Sequence, residues 1–182
     1  MLMRREESFL LIVDLQGKLM PAMRRGDQAL EVSGRLIRAA RALGVPVRIS
    51  EHCANRIGPT EEGLRALARP EEILAKTHFS IADEPQALAE LRALGRPLAV
   101  ITGAEAHVCV LQSALGLKAA GFAPVVAADA VSSRFEADET AGLARLAAAG
   151  VPVVTSEMVM FEWTADAQHP AFREILALIK ER

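Results

Sequence analysis

Residues 98–110 read Leu-Ala-Val-Ile-Thr-Gly-Ala-Glu-Ala-His-Val-Cys-Val. The first part is a continuous apolar, β-branched run, the pattern of a strand covered on both faces rather than of one with a wet side. A glycine-bearing loop follows, and helical spacing then takes over from 108 to Ala120, ended by Gly121. Strand, loop and helix in that order make half of a βαβ unit. The same order recurs on either side. Strands are expected at 8–13, 45–50, 73–76, 124–128 and 152–155, and helices at 28–43, 84–94 and 138–149, closed by Gly44, Gly95 and Gly150 in the manner of left-handed caps. Each closing glycine leads within a few residues into the next strand, as in Gly44-Val-Pro-Val and Gly150-Val-Pro-Val. After His169-Pro170 a last helix, 170–180, places Phe172, Ile175, Leu176 and Ile179 on one face. Alternating strands and helices predict an α/β fold with one parallel sheet of six strands.

The chain has 182 residues, 51% apolar and 24% charged, enough for one sizeable core and short for two, so 1–182 is expected to be a single domain. A formal net charge of -2 leaves no electrostatic footprint for a polyanion, and nucleic acid is not expected as a partner. The early apolar run ends at Asp14, too short for a secretion signal or a membrane span. The expectation is a cytoplasmic protein with no membrane partner. Two cysteines, Cys53 and Cys109, can build neither a disulfide framework nor a paired-cysteine zinc site. The run 158–163, Met-Val-Met-Phe-Glu-Trp, is too apolar for an exposed loop and reads as core packing or a subunit contact.

In an open parallel sheet the ligand crevice lies at the carboxyl ends of the strands, where strand order reverses. Those positions hold Asp14; Glu51, His52 and Cys53; Lys76; the loop from Gly103 to Cys109; and Asp129, Ser132, Ser133 and Arg134. Each has an ordinary use: a capping carboxylate, a strand-end cation, a buried inert thiol. Lys76 is one of four lysines against 17 arginines and ends an apolar strand, which sets it apart from generic surface charge. Cys109 is placed in the first turn of a helix, where unpaired amides can lower a thiol pKa. A thiol, a carboxylate and a lysine at the ends of three different strands are the components of nucleophilic catalysis. A dinucleotide or phosphate site is not expected, because Asp14-Leu-Gln-Gly follows the first strand where a glycine-rich loop would have to stand.

The stretches Leu11-Ile-Val-Asp14-Leu-Gln16, Ala75-Lys76-Thr-His-Phe79-Ser80, Thr102-Gly-Ala-Glu-Ala-His-Val-Cys109-Val and Val126-Ala-Ala-Asp129-Ala-Val-Ser-Ser133-Arg134 together resemble the isochorismatase-like cysteine hydrolases, a group that includes nicotinamidases and N-carbamoyl amide hydrolases. The resemblance spans nearly the whole chain. Gly-x-Glu-x-x-x-Cys-Val with a downstream Asp-Ala-x-x-Ser is its most specific part, and the tail from Thr155 to Ile175 is most similar to the branch of isochorismatase-domain-containing proteins. It implies a sheet of order 3-2-1-4-5-6 with helices on both faces. The implied triad is Asp14, Lys76 and Cys109, with a cis peptide at Ala104–Glu105 and an oxyanion hole from the amides of Glu105 and Cys109. By the same likeness Phe79 lines the site and Gln16 supports Asp14. His52 and Arg56, on the loop after the second strand, are expected to read a polar or anionic end of the substrate. The stretch 50–56, Ser-Glu-His-Cys-Ala-Asn-Arg, is a poor match to the ligand set of metal-binding relatives, so neither metal nor cofactor is expected. The implied activity is hydrolysis of a small amide or related carbonyl compound through a covalent thioester, in a homo-oligomer of two or more copies. The alternative is a binding or scaffold homologue of the same fold with no turnover. Two further residues have open readings: Cys53 as a loop thiol or a redox partner of Cys109, and His107 as a surface histidine or a pocket group.

Overall fold

The computed structural model describes residues 1–181, so the last position of the expected 1–182 span lies outside the described residues. Six strands, β1 (Ser8–Val13), β2 (Val47–His52), β3 (Ile73–Lys76), β4 (Leu98–Ala104), β5 (Ala123–Ser132) and β6 (Val153–Val154), form one all-parallel sheet of order β3-β2-β1-β4-β5-β6. The expected order and class are both present. The helices are α1 (Gly26–Leu43), α2 (Ala54–Ile57), α3 (Glu62–Arg65), α4 (Pro85–Ala93), α5 (Leu111–Ala119), α6 (Glu136–Ala148), α7 (Ser156–Thr164) and α8 (Phe172–Lys180). None of them is long and apolar enough to cross a membrane.

β1 lies at the centre, and its pleat explains the unbroken apolar run. Leu10 and Ile12 face a core shared with α1, α7 and α8, while Phe9, Leu11 and Val13 face a second core under α4, α5 and α6. All five are fully buried. Each contributes about 1.5–3 kcal/mol by leaving water, so polar residues at alternate positions would destabilise whichever layer received them.

Four details depart from the sequence reading, each for a physical reason. β2 begins at Val47, because Pro46 has no N–H for a ladder and only its carbonyl is used, by Leu10 N–H at 2.8 Å. β5 runs on to Ser132 through an irregularity, its pairing with β4 jumping from Ile101↔Val126 to Gly103↔Val131. α7 was legible only as an apolar run. It buries Val159, Met160 and Trp163 and exposes Met158 and Phe161, so core packing accounts for half of that run. On α8 the buried face centres on Ile175 and Leu178, with Leu176 turned partly outward.

Gly103 is the residue that allows the centre of the sheet to close. It pairs with Val13 across the β1–β4 ladder with φ at +128°, and a Cβ there would lie 2.0 Å from the Val13 carbonyl oxygen. No side chain but hydrogen fits so close an approach. Gly103→Ala is therefore expected to destabilise the protein by about 2–3 kcal/mol or more, measured as a lowered midpoint in urea against the parent. An unchanged midpoint would show that the β1–β4 contact is looser than described.

Candidate active site

The ends of β1 and β3 and the turn after β4 bring three side chains together. Asp14 leaves β1 with a left-handed φ of +52°, a conformation aspartate tolerates better than bulkier residues, and its side chain is 1% exposed. Its N–H donates to Ser50 O at 3.1 Å, and the Ser50 hydroxyl donates to Asp14 Oδ1 at 2.7 Å. Asp14 Oδ2 lies 2.7 Å from Lys76 Nζ. The Lys76 side chain is 0% exposed, and its ammonium also donates to the carbonyls of His78 and Phe79, each at 3.1 Å. Two unlike charges out of water are tolerable only when paired and otherwise hydrogen-bonded, which this arrangement achieves.

Cys109 completes the group from the other side of β1. Its thiol lies close enough to both charges that the Asp14 carboxylate raises its pKa and the Lys76 ammonium lowers it. The stretch that carries it, Ala106–Val110, is a π-helical turn leading into α5, and the Ala104–Glu105 peptide before it is cis, as the resemblance implied. Irregular helical turns of this kind recur at functional sites. The turn is held from below. Glu105 Oε2 accepts from Arg134 Nε at 2.9 Å, His107 Nδ1 lies 2.9 Å from Ser133 Oγ, and α6 packs so tightly that a Cβ on Gly142 would lie 2.9 Å from His107 Cα. His107 thus fastens the turn to the β5–α6 segment and is not a pocket group.

The electrostatics correct one expectation. A helix-start location suggested a lowered thiol pKa, but burial pushes the Cys109 thiol up to about 12. The negative charge of Asp14 raises it further, and Lys76 opposes both.

The remaining candidates are spread around this point. Gln16 is fully buried, donating to His52 O at 3.0 Å and Gly58 O at 2.5 Å and accepting from His52 N–H at 2.8 Å, so its amide ties two loops together. His52 stacks on Phe79 with ring centroids 5.3 Å apart, and its buried Nδ1 has no hydrogen-bond partner. Phe79 is 50% exposed, at the rim. Arg56 is an exposed residue on α2. Cys53 is half-buried with φ at +42°, and its N–H donates to Lys76 O at 2.9 Å; both cysteines are free thiols. Asp129 caps α7 through Ser156 N–H at 2.7 Å and Ser156 Oγ at 2.6 Å, which removes it from the site. Among the described residues no group of three His, Cys, Asp or Glu side chains is placed to hold a metal ion. Ser50, unassigned in the sequence reading, belongs to the site. Its signal is the register, because it pairs with Val13 across the β1–β2 ladder.

The isochorismatase domain model matches residues 8–158. Isochorismatase domain-containing protein 1 of Danio rerio is 38% identical over 169 residues, which cover 92% of this chain and 59% of that protein, so the chain spans about three-fifths of that relative. The structure of MAR1 ribonuclease from Caenorhabditis elegans superposes with a TM-score of 0.92 at 31% identity, covering 98% of this chain and 92% of that one. The YcaC gene product of Escherichia coli, an octameric hydrolase of unknown specificity, has a TM-score of 0.87 at 21% identity over 97% of this chain and 95% of its own, a likeness of fold.

The charges around the sulfur set opposite expectations for two variants. In a Cys53→Ser background, Asp14→Asn removes the charge that raises the Cys109 thiol, and Lys76→Met removes the charge that lowers it. Below the thiol midpoint the alkylation rate follows the thiolate fraction, so at pH 8 iodoacetamide should label Asp14→Asn about 10-fold faster than the parent and Lys76→Met about 10-fold slower. The reverse order would contradict the geometry.

Proposed function

The chain belongs to the isochorismatase domain family, and from that premise we propose that it hydrolyses a small amide or related carbonyl compound through a thioester on Cys109. The observation that carries the reading is a thiol under the opposing influence of a carboxylate and an ammonium that are themselves paired at 2.7 Å. Asp14 takes the thiol proton as the sulfur attacks the carbonyl carbon, and Lys76 stabilises the negative charge passing between them. The carbonyl electrons move to oxygen, where the amides of Glu105 and Cys109 form the oxyanion hole. Removing one such donor typically costs about 100- to 1,000-fold in rate. As the tetrahedral adduct collapses, the carbon–nitrogen bond breaks and Asp14 returns its proton to the leaving ammonia or amine. Asp14 then activates a water that hydrolyses the thioester and restores the thiol. Protons and electrons balance within these groups, so the cycle calls for no metal or cofactor.

Burial and the Asp14 charge push the thiol pKa up, and proton transfer to Asp14 in step with the attack offsets that penalty during turnover. The stacked rings of His52 and Phe79 form one wall for the substrate. Gln16 sets the position of His52, and Arg56 is available to an anionic end. The name of the nematode relative suggests a second reaction, cleavage of RNA, but a net charge of -2 gives a polyanion little attraction to this chain. We also propose a homo-oligomer of at least two copies, with Met158 and Phe161 of α7 as exposed apolar residues available to a contact.

Incubation with small amides, N-carbamoyl compounds and a mixed RNA, followed by acid quenching and intact-mass measurement, tests the reaction. An acyl adduct on the parent, absent from a folded Cys109→Ala variant that also loses turnover, is the expected result. Turnover by Cys109→Ala would end the proposal. Binding without adduct or product would favour the idle scaffold, and RNA shortening without adduct would favour the nuclease. For assembly, light scattering at micromolar concentration should give at least twice the 19.5 kDa chain mass; a clean monomer would refute it.

A further inference from the structure

Lys76 sits where the fold gives least support. β3 is the outermost strand on its side of the sheet, four residues long, and Lys76 is its last residue. Beyond it the chain leaves the ladder. The ammonium nevertheless depends on two carbonyls in that departing stretch, those of His78 and Phe79. Something other than the sheet must hold them.

Ser113 Oγ donates to Phe79 O at 3.4 Å, and Glu84 holds the preceding two residues through a single oxygen. Its Oε1 accepts Thr77 N–H at 2.6 Å, His78 N–H at 2.9 Å and the Thr77 hydroxyl at 3.1 Å, and lies 2.9 Å from His78 Nδ1. The turn therefore presents the amides of Thr77 and His78 to Glu84 and the carbonyls of His78 and Phe79 to Lys76. The amide donors of His78 and then Thr77 hold the Glu84 carboxyl at about 2, far below the usual carboxylate range.

The position of Glu84 makes this use of its side chain unusual. It is the residue immediately before α4, where a carboxylate ordinarily folds onto its own helix amides, and it makes no such bond. Its carboxylate is directed away from its own helix, onto the turn. The helix behind it is firmly seated, with Ala87 and Leu91 buried in the second core. The end of β3 is paired with His52, and the Lys76 carbonyl accepts the Cys53 N–H; Glu84 adds the rigidity of a packed helix to the turn that follows.

We propose that Glu84 is a positioning residue for Lys76, fixing the 77–79 turn so that the ammonium stays beside Asp14 and the Cys109 thiol. The proposal rests on the triad reading given above. Glu84 touches no reacting atom; its effect passes through the lysine. Loss of the clamp lets the ammonium drift from the sulfur and weakens its lowering effect on the thiol.

The test is Cys109 alkylation by iodoacetamide at pH 8 in the Cys53→Ser background, with circular dichroism confirming the fold of each variant. Glu84→Ala should slow labelling about 3- to 10-fold, in the direction of Lys76→Met, and Glu84→Gln, which keeps an acceptor oxygen, should recover most of the rate. Adding Glu84→Ala to Lys76→Met should change nothing further, a non-additivity that general loosening would not produce. Should Glu84→Ala fail to fold, Glu84→Asp serves in both backgrounds, because it keeps the charge but loses the reach. Parent-like labelling of the folded Glu84 variant, or equal slowing with and without Lys76, would overturn the role of Glu84 alone. A parent-like rate for Lys76→Met would instead overturn the triad, and the role of Glu84 with it.

Discussion

The pairing of Asp14 with Lys76 inside the sheet is the constraint around which the rest of the site is arranged. Both side chains are almost wholly removed from water, and neither could be left there alone. Deleting one partner of such a buried pair typically costs about 3–5 kcal/mol, because the survivor is stranded. The fold meets the remaining hydrogen-bonding needs of each ion separately, with the Ser50 hydroxyl on the carboxylate and two backbone carbonyls on the ammonium. These partners come from different parts of the chain and are brought together by ladder register. Val13 pairs with both Ser50 and Gly103, and His52 with Lys76. A one-residue slip in either ladder would turn these side chains to the wrong face and separate the charges.

The pair also decides the state of the sulfur. A thiol beside an isolated ammonium would favour the anion, and a thiol beside an isolated carboxylate would hold its proton more tightly. Here the two neighbours oppose each other, and burial settles the balance in favour of the neutral form. A neutral buried thiol is a poor target for stray electrophiles and oxidants, since the thiolate is the reactive species. In the proposed mechanism Asp14 accepts the thiol proton while Lys76 stays charged beside the new anion, a transfer that leaves the net charge of the three groups unchanged.

Much of this was legible in the sequence because it is written in local patterns. The apolar runs and closing glycines identify the strands and their joints, and the strand-end rule draws attention to Asp14, Lys76 and Cys109. What escaped depends on partners distant in the chain. Ser50 becomes a site residue only once β1 and β2 are paired. Glu84 reads as a helix-start carboxylate until its side chain is seen to face Thr77 and His78. The helices α2 and α3, at four residues each, are too short to show a period. The sign of the thiol shift was missed because the helix-start argument carries no information about burial, which is here the largest cause.

The stretch that resembles the family most specifically also separates into reacting and holding parts. In Gly-x-Glu-x-x-x-Cys-Val, Gly103 permits the close approach to Val13, the Glu105 carboxylate binds Arg134, and only Cys109 presents a side chain to the paired charges. In the downstream Asp-Ala-x-x-Ser, Asp129 caps α7 and Ser133 meets His107 beneath the π-helical turn. Ser133 N–H and Arg25 both reach the buried Glu139 of α6, and Arg25 N–H donates to Ser132 Oγ at 3.0 Å, so the support extends to the start of α1. A sulfur whose reactivity depends on contact with two charges needs a backbone that cannot drift by even an ångström. On the proposed chemistry the side chains that hold the turn are therefore as tightly specified as the cysteine itself, although none of those side chains touches a substrate.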